Sequence, residues 1–526
     1  MAPRRSKQFA TGLILKSVFA ALLVALLCAS ATFAQTAAPQ SPNQPASPSH
    51  PKTPLQPPSP NTTPAPGTGA TGQNQPPGGS QASSQPQPET HITRAQAKEL
   101  FRSVDEILRF ASHDTGLPIE HSVKRNLITR KSVERYVDKR MKDDKDEKRL
   151  EQSRLVLQKF GLLPAGYDLH AEFLLLMAEQ VAAYYDPRSR SVNLLDWLPA
   201  DAQKPVLAHE LTHALQDQQV GLQKWELAGA KDDTPLPDQQ EYASEEAQAA
   251  RQCVTEGQAQ VVWFDYTLAP MGKNILTAPQ FVAAVRASMG DSSDSPIFGQ
   301  APMFLKESLL MPYTFGLDFV RTVLANRGKD VAFSGVLQDP PIDTRQVMQP
   351  ETYLLHQVVA PPTIPDLDRL VAPDYERFDF GSMGEFDVYL LAKQYGADDA
   401  PNYYRHWRGG YYFAAHRKSA PRDQIAMLYY SRWDSPEAAR DFAKLYAGYL
   451  PKRYSKAALE PPRTTDGMNQ ERSLWAFDTD EGKALLELHD NDLLITEGYD
   501  DGVIQKARDV FFYRMSLPAQ SPKTKN

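Results

Sequence analysis

The sequence feature that most constrains this chain is an H-E-x-x-H motif at residues 209–213, within the stretch VLAHELTHALQDQQ. Residues four apart on a helix project from the same face, so the imidazoles of His209 and His213 can bind one cation. Glu210 then points beside that cation rather than at it. Pro205 predicts where the helix begins. The stretch also has apolar residues at helical spacing, which are Leu207, Leu211, Ala214 and Leu215.

A third ligand is expected on a second helix, because catalytic zinc sites use three protein ligands. The pattern over Gln239–Tyr266 predicts a long helix that carries three glutamates, Glu245, Glu246 and Glu256. Two small residues follow the last of them, which are Gly257 and Ala259. Small neighbours would let this helix approach the motif helix closely enough for Glu256 to reach the metal. The other two glutamates lie in a more polar setting, which predicts surface positions.

Glu210 supplies the chemistry of the motif. A carboxylate beside a zinc ion can hold a water molecule and take its proton, as a zinc metallopeptidase requires. The motif therefore predicts a Zn²⁺-dependent hydrolase that acts on a peptide or protein substrate. No G-x-S-x-G motif, phosphate-binding glycine loop or dinucleotide fingerprint competes with it. The net charge of −7, with charges of mixed sign, gives no nucleic-acid footprint.

The run H-E-L-T-H-A-L-Q-D-Q, followed by a helical E-G-Q-A at residues 256–259, resembles the gluzincin branch of the H-E-x-x-H zinc peptidases. Within that branch it is most similar to a bacterial group of secreted proteins. The resemblance covers residues 123–356 and includes LMPYTFG at residues 310–316 and PPIDTRQ at residues 340–346. It implies a mainly helical, zincin-like domain. It also implies that His209, His213 and Glu256 bind zinc and that Glu210 is the general base.

The chain departs from thermolysin-like members of that branch in two ways. The spacing between His213 and Glu256 is longer, and no residue clearly matches their downstream histidine. The role of stabilising the oxyanion is therefore assigned to Tyr313, with His356 as the second candidate. Tyr313 opens a predicted helix, and the alternative for it is a purely structural core aromatic.

A hairpin is predicted directly before the motif helix, over residues 184–195. Asp186-Pro187 lies between two short runs that contain β-forming residues, which is a turn signal. An exposed strand edge at this place could pair with an extended peptide substrate. The alternative is a hairpin that only packs against the helix.

The N-terminal residues predict export. Arg4, Arg5 and Lys7 precede an apolar run from about residue 13 to residue 28, and small residues lead to Ala34. We predict a signal peptide over residues 1–34; the alternative, a retained membrane anchor, has a short apolar run. Residues 35–90 are rich in Pro, Gln and Ser, which predicts a disordered tether. The mature protein is then secreted or periplasmic (in the cell envelope), without a transmembrane span.

The mature chain would keep one cysteine, because Cys28 lies within the export signal. An internal disulfide is then impossible. Cys253 precedes Glu256 by one helical turn and could be a thiolate ligand. The favoured alternative is a small buried apolar residue.

The fold class is predicted as α+β, with a metallopeptidase domain over residues 91–360 and a C-terminal α+β domain over residues 361–526. In the second domain, helices are predicted over Gly381–Tyr395 and Ser435–Leu450. Strands are predicted at Tyr411–Ala415, Ile425–Tyr430, Trp475–Phe477, Ala484–His489 and Leu493–Thr496. This region contains no second catalytic constellation, so a substrate-positioning or structural role is expected.

The alternative to an enzyme is a secreted binding or envelope-structural protein with a vestigial zinc site. The Pro-rich tether and the aromatic C-terminal region would suit that class. The presence of Glu210 argues against it, because a site kept for structure needs ligands but no base.

Overall fold

A computed structural model describes residues 91–133, 135, 144–180, 183–228, 237–289, 295–460 and 474–513. The predicted signal peptide and tether over residues 1–90 lie outside the described residues, as do residues 514–526. The described chain is mixed α+β, about 57% helical, with two sheets, which confirms the predicted class. None of the described helices is both long and apolar enough to cross a membrane.

The first half of the described chain is mainly helical. Its strands are β1 (Lys124–Ile128), β2 (Ala183–Asp186) and β3 (Ser191–Leu195). Its helices are α1 (Arg94–Thr115), α2 (Asp144–Lys159), α3 (Leu169–Gln180), α4 (Ala200–Val220), α5 (Leu222–Glu226), α6 (Pro237–Leu268), α7 (Pro279–Ser288), α8 (Pro296–Gln300), α9 (Met303–Met311), α10 (Leu317–Arg327), α11 (Val336–Gln338), α12 (Thr344–Met348) and α13 (Pro350–Leu354). A 3₁₀ turn (Ala269–Met271) and two π-helical turns (Pro312–Gly316 and Val331–Gly335) connect some of them.

The predicted hairpin is confirmed as β2 and β3, which pair antiparallel. The three strands of this sheet lie in the order β1-β3-β2, and β1 runs parallel to β3. Strand β2 is therefore at the edge of the sheet. Helix α4 packs next to that edge, which places the strand beside the motif.

The motif helix α4 is buried on almost every side between Val206 and Gln216. The prediction that it begins at Pro205 is wrong, because α4 begins at Ala200 and Pro205 lies inside it. Gln203 explains the earlier start. Its side chain accepts a hydrogen bond from Leu195 N (3.1 Å) and donates one to Leu195 O (2.9 Å), which ties the first turn to strand β3.

Helix α6 confirms the predicted long helix and packs along α4. Gly257 makes its close contact with the turn at Pro312–Gly316, where a Cβ on Gly257 would lie 2.3 Å from Gly316 O. A Cβ on Gly316 would in turn lie 2.3 Å from Cys253 O. The expectation that Gly257 faces the motif helix is therefore wrong. One residue is about 100° of helix rotation, so Gly257 and Glu256 face different neighbours.

The second half of the described chain is built on a seven-stranded antiparallel sheet in the order β4-β5-β6-β10-β9-β8-β7. Its strands are β4 (Tyr375–Ser382), β5 (Trp407–Arg417), β6 (Ile425–Trp433), β7 (Ala457–Leu459), β8 (Leu474–Thr479), β9 (Gly482–His489) and β10 (Asp492–Glu497). Its helices are α14 (Leu367–Val371), α15 (Glu385–Tyr395), α16 (Pro401–Tyr404), α17 (Pro436–Arg453) and α18 (Asp501–Phe511).

The alternating side chains of this sheet supply two cores. Tyr412 and Tyr429 face α15 and α17 and belong to the large core that also contains Leu207 and Val254. Side chains on the opposite face, such as Leu428, pack in a smaller core with α14 and α18. The large core thus joins both halves of the chain, and the division at residue 360 stays a prediction.

The predicted strands of the C-terminal half are confirmed, since all five lie within β5, β6, β8, β9 and β10. The predicted helix over Ser435–Leu450 is also confirmed, with Ser435 as its N-cap. The predicted start of the preceding helix at Gly381 is wrong. Residues 381 and 382 end strand β4, and the helix begins at Glu385.

Candidate metal centre

Three side chains from two helices converge at the centre of the first half. His209 and His213 project from α4, and Glu256 projects from α6. Glu256 Oε2 lies 3.2 Å from Nε2 of His209 and 3.6 Å from Nε2 of His213, and the two nitrogens are 3.1 Å apart. Within the described ranges, this is the one group of three or more metal-ligating side chains, and all three are buried.

The donor set fits a zinc ion. Two imidazole nitrogens and one carboxylate oxygen are the ligands that catalytic zinc sites use, with a further position left open. The predicted residues are therefore brought together as the motif and the glutamate on α6 indicate. Cys253 is buried and free, and it does not belong to this group.

The charges of the three side chains are strongly coupled. Burial raises the pKa of Glu256, but the charge of His213 and hydrogen bonds from both imidazoles outweigh burial and hold it at about 2. Burial lowers the pKa of His213, but the carboxylate of Glu256 outweighs it and raises that pKa to about 10. The cluster thus holds a carboxylate against a positive charge. A bound divalent cation would take the place of that charge, because metal binding displaces protons from ligands.

Glu245 and Glu246 are buried, so the prediction that they are surface residues is wrong. Glu245 accepts a hydrogen bond from Ser382 N at 2.5 Å. Glu246 accepts hydrogen bonds from the backbone nitrogen and the hydroxyl of Thr344 at 3.0 and 2.7 Å. The N-terminal part of α6 is covered by β4 and α12, whose polar groups satisfy these carboxylates. Neither glutamate belongs to the ligand group.

Gln216 and Gln258 support the ligand His213, and the sequence did not single them out. Gln216 Oε1 accepts a hydrogen bond from His213 Nδ1 at 2.8 Å, and Gln216 Nε2 donates to Gln258 Oε1 at 2.9 Å. Gln258 Nε2 donates to the carbonyls of Ala332 and Phe333 at 2.8 and 3.0 Å. The chain of bonds fixes the proton of His213 on Nδ1 and leaves Nε2 facing the cluster. The three-residue spacing from His213 to Gln216 is the sequence signal that points to it.

Glu210 lies beside the ligands and contacts the edge strand. Its Oε2 accepts a hydrogen bond from Tyr185 N of β2 at 2.7 Å. The hydroxyl of Tyr185 donates to Asp217 Oδ2 on α4 at 2.9 Å, which fixes the strand against the motif helix. Burial raises the pKa of Glu210 to about 8, against the opposing charge of His213. The edge strand is therefore next to the base, as the hairpin position indicates.

Tyr313 lies beside the cluster, within a continuous helical run rather than at a helix start. It belongs to the π-helical turn between α9 and α10 and is 3% exposed. Its ring is stacked on that of His209, with the centroids 6.1 Å apart and the planes 22° from parallel. His356, the second candidate for the same role, is exposed after α13 and has a positive φ of 51°. Of the two candidates, the described contacts favour Tyr313.

We compared the chain with models of protein families, with curated proteins and with solved structures, and none of them matches.

Proposed function

We propose that this chain is a secreted or envelope-located zinc-dependent peptidase of the gluzincin type. The observation that carries the proposal is the arrangement of four residues. His209, His213 and Glu256 form a buried three-ligand group, and the carboxyl of Glu210 lies beside that group without belonging to it. A site that only bound a metal for structure would need the ligands and not the adjacent base.

A zinc ion held by His209, His213 and Glu256 would supply Lewis acidity, which activates water and polarises a carbonyl. Glu210 accepts a proton from the attacking water and returns it to the leaving amine. A carboxyl whose pKa is raised to about 8 by burial is suited to both steps near neutral pH, because it can gain and lose a proton there.

The surroundings of the site support a peptide as the substrate. Edge strand β2 lies beside Glu210, and an extended peptide can add to a strand edge through main-chain hydrogen bonds. Tyr313, stacked on His209, is the proposed hydrogen-bond donor to the oxyanion that develops on the scissile carbonyl. The substrate is therefore recognised by its main chain at the site of cleavage.

The test is metal analysis of the purified mature protein together with peptide hydrolysis. We expect about one equivalent of zinc, loss of hydrolysis after chelation, and recovery when zinc is added back. Protein that holds less than about one-tenth of an equivalent and does not recover on zinc addition would overturn the proposal. Zinc without hydrolysis of a broad peptide library would favour the secreted binding or structural protein.

A further inference from the structure

An apolar pocket lies where the two halves of the chain meet. It is enclosed by α2, α6, α9 and the segment that leads from β4 into α15, and its volume is about 80 Å³. Side chains from all four parts contribute to its wall, among them Phe160, Cys253, Phe304, Met311, Met383 and Phe386. Each of these six is less than 10% exposed. The pocket is thus mostly shielded from water.

The size and the chemistry of the wall define what the pocket can hold. On the scale used for this volume, one water molecule takes about 10–15 Å³, so the pocket has room for several non-hydrogen atoms. The wall is mainly apolar, and its polar groups already have partners. Asp387 accepts a hydrogen bond from Gly384 N at 2.8 Å, and Ser382 N donates to Glu245 at 2.5 Å. These properties suit one branched aliphatic or aromatic side chain and do not suit a charged group.

The pocket shares a face of α6 with the metal ligand Glu256. Ala249, Gln252 and Cys253 line it, and they precede Glu256 by seven, four and three residues. At about 100° per residue these positions lie within roughly 60° of the direction of Glu256. At about 1.5 Å per residue they lie about 4.5 to 10.5 Å along the axis from it. The pocket is therefore one to two helical turns from the third ligand.

The opposite wall also leads to the metal centre. Met311 and Pro312 line the pocket, and the next residue is Tyr313, which stacks on His209. A peptide whose scissile carbonyl lies beside the ligands would thus carry a nearby side chain within reach of the pocket.

We propose that this pocket is the subsite that receives a bulky apolar side chain of the peptide substrate, close to the bond that is cleaved. The proposal rests on the proposed function and names its substrate class. Leucine, methionine or phenylalanine at one position near the scissile bond should be preferred to alanine by roughly 10-fold or more, since each buried methylene discriminates by about that factor.

The test uses binding, so that it does not depend on turnover. Zinc-loaded Glu210→Gln protein is titrated with pairs of peptides that differ only by phenylalanine or alanine at each position in turn. One position should show the preference. Ala249→Leu in the same background should remove it, because the added atoms fill the pocket. Ala284→Leu, at an exposed position of α7, is the matched control and should keep it.

Cys253 gives an independent readout, because its thiol lies in the pocket wall. Protein that begins at residue 35 has no other cysteine. The phenylalanine peptide should slow alkylation of Cys253 by N-ethylmaleimide, whereas the alanine peptide should not. Toluene serves as the free apolar molecule. Protection by toluene combined with no peptide preference would overturn the assignment to a substrate side chain.

The remaining outcomes separate this proposal from the proposed function. A phenylalanine preference that survives Ala249→Leu, with no protection of Cys253, would overturn the pocket assignment while leaving the peptidase intact. A preference that Ala249→Leu removes would support the pocket even if the wild-type protein cleaved none of the peptides, in which case only the proposed hydrolysis would fail.

Discussion

Gln216 accepts a hydrogen bond from Nδ1 of His213 at 2.8 Å, and it is itself held by Thr255 O at 3.0 Å. One glutamine of the motif helix therefore links a predicted metal ligand to the helix that supplies the third ligand. Outer partners of this kind orient the ligand and raise its basicity.

Replacing that glutamine should weaken zinc binding without removing a ligand. For Gln216→Leu we expect a rise in the zinc dissociation constant of about 10- to 100-fold, since His213 loses its hydrogen-bond acceptor. Competition with a chromogenic chelator measures the constant directly. Gln223→Leu, at an exposed position of α5, is the control and should bind zinc like the wild type. Equal constants for both variants would show that Gln216 has no positioning role.

Glu210→Gln separates binding from chemistry. The variant should keep about one equivalent of zinc and the wild-type melting temperature, because all three ligands remain. Hydrolysis should fall by roughly 10²- to 10⁴-fold, since the proton acceptor is gone. Zinc content and kcat/KM, measured on the same preparation, check both halves of the prediction. A variant as active as the wild type would assign the base to another residue.

Tyr313→Phe removes only a hydroxyl. If that phenol donates to the oxyanion, kcat should fall while KM changes little, because the lost interaction exists mainly in the transition state. The effect should be smaller than that of Glu210→Gln. Tyr353→Phe removes a hydroxyl that donates to Asp339 O and serves as the control. An unchanged kcat would return Tyr313 to a structural role.

The glutamates of α6 should differ in what their loss affects. Glu256→Ala should abolish zinc binding, because it removes a ligand. Glu246→Ala should keep zinc but lower the free energy of unfolding by about 1–3 kcal/mol, since Thr344 then loses a buried acceptor. Zinc analysis and thermal unfolding of both variants give the answer. Loss of zinc from Glu246→Ala alone would move the third ligand to that position.

A buried ion pair in the second half predicts a dependence of stability on pH. Glu497 is fully buried, pairs with Arg453 and accepts a hydrogen bond from the hydroxyl of Tyr446 at 2.6 Å. Burial raises the pKa of Glu497, but the charge of Arg453 outweighs it, so the folded-state pKa is lower than usual. The stabilisation is therefore complete above the unfolded-state pKa of about 4.3 and is lost as the pH falls through the folded-state pKa.

Glu497→Gln tests that relationship. It should lower the free energy of unfolding at neutral pH by about 3–5 kcal/mol, because Arg453 is left buried without its counter-charge. The difference from the wild type should shrink as the solution is acidified below about pH 4. Denaturant unfolding at several pH values measures both effects. A difference that is constant with pH would contradict the assigned ionisation of Glu497.

The local parts of the candidate site could be predicted from the sequence. His209, His213 and Glu210 share one helix, so their directions follow from helix geometry alone. The hairpin before the motif was predicted from a turn signal between two runs with β-forming residues. Glu256 required only the choice among three glutamates on one helix, and the helix repeat excluded serving one ion with two of them.

The parts that depend on distant contacts could not be predicted. Glu245 and Glu246 look like surface residues until Ser382 and Thr344 cover them, and those partners lie about a hundred residues downstream. The start of α4 depends on the contact of Gln203 with strand β3. A local pattern carries no information about which remote backbone groups will satisfy a polar side chain.

The contact between Gly257 and Gly316 has a consequence for how a cation would be bound. Two main chains touch there, with no side chain between them that could change rotamer. The residue next to Gly257 is the third ligand, so its backbone position is set by a rigid contact rather than by flexible packing. Such a site is preorganised, and little conformational entropy is lost when a ligand arrives. Affinity for the metal would then depend on the packing of two helices that the metal itself does not have to bring together.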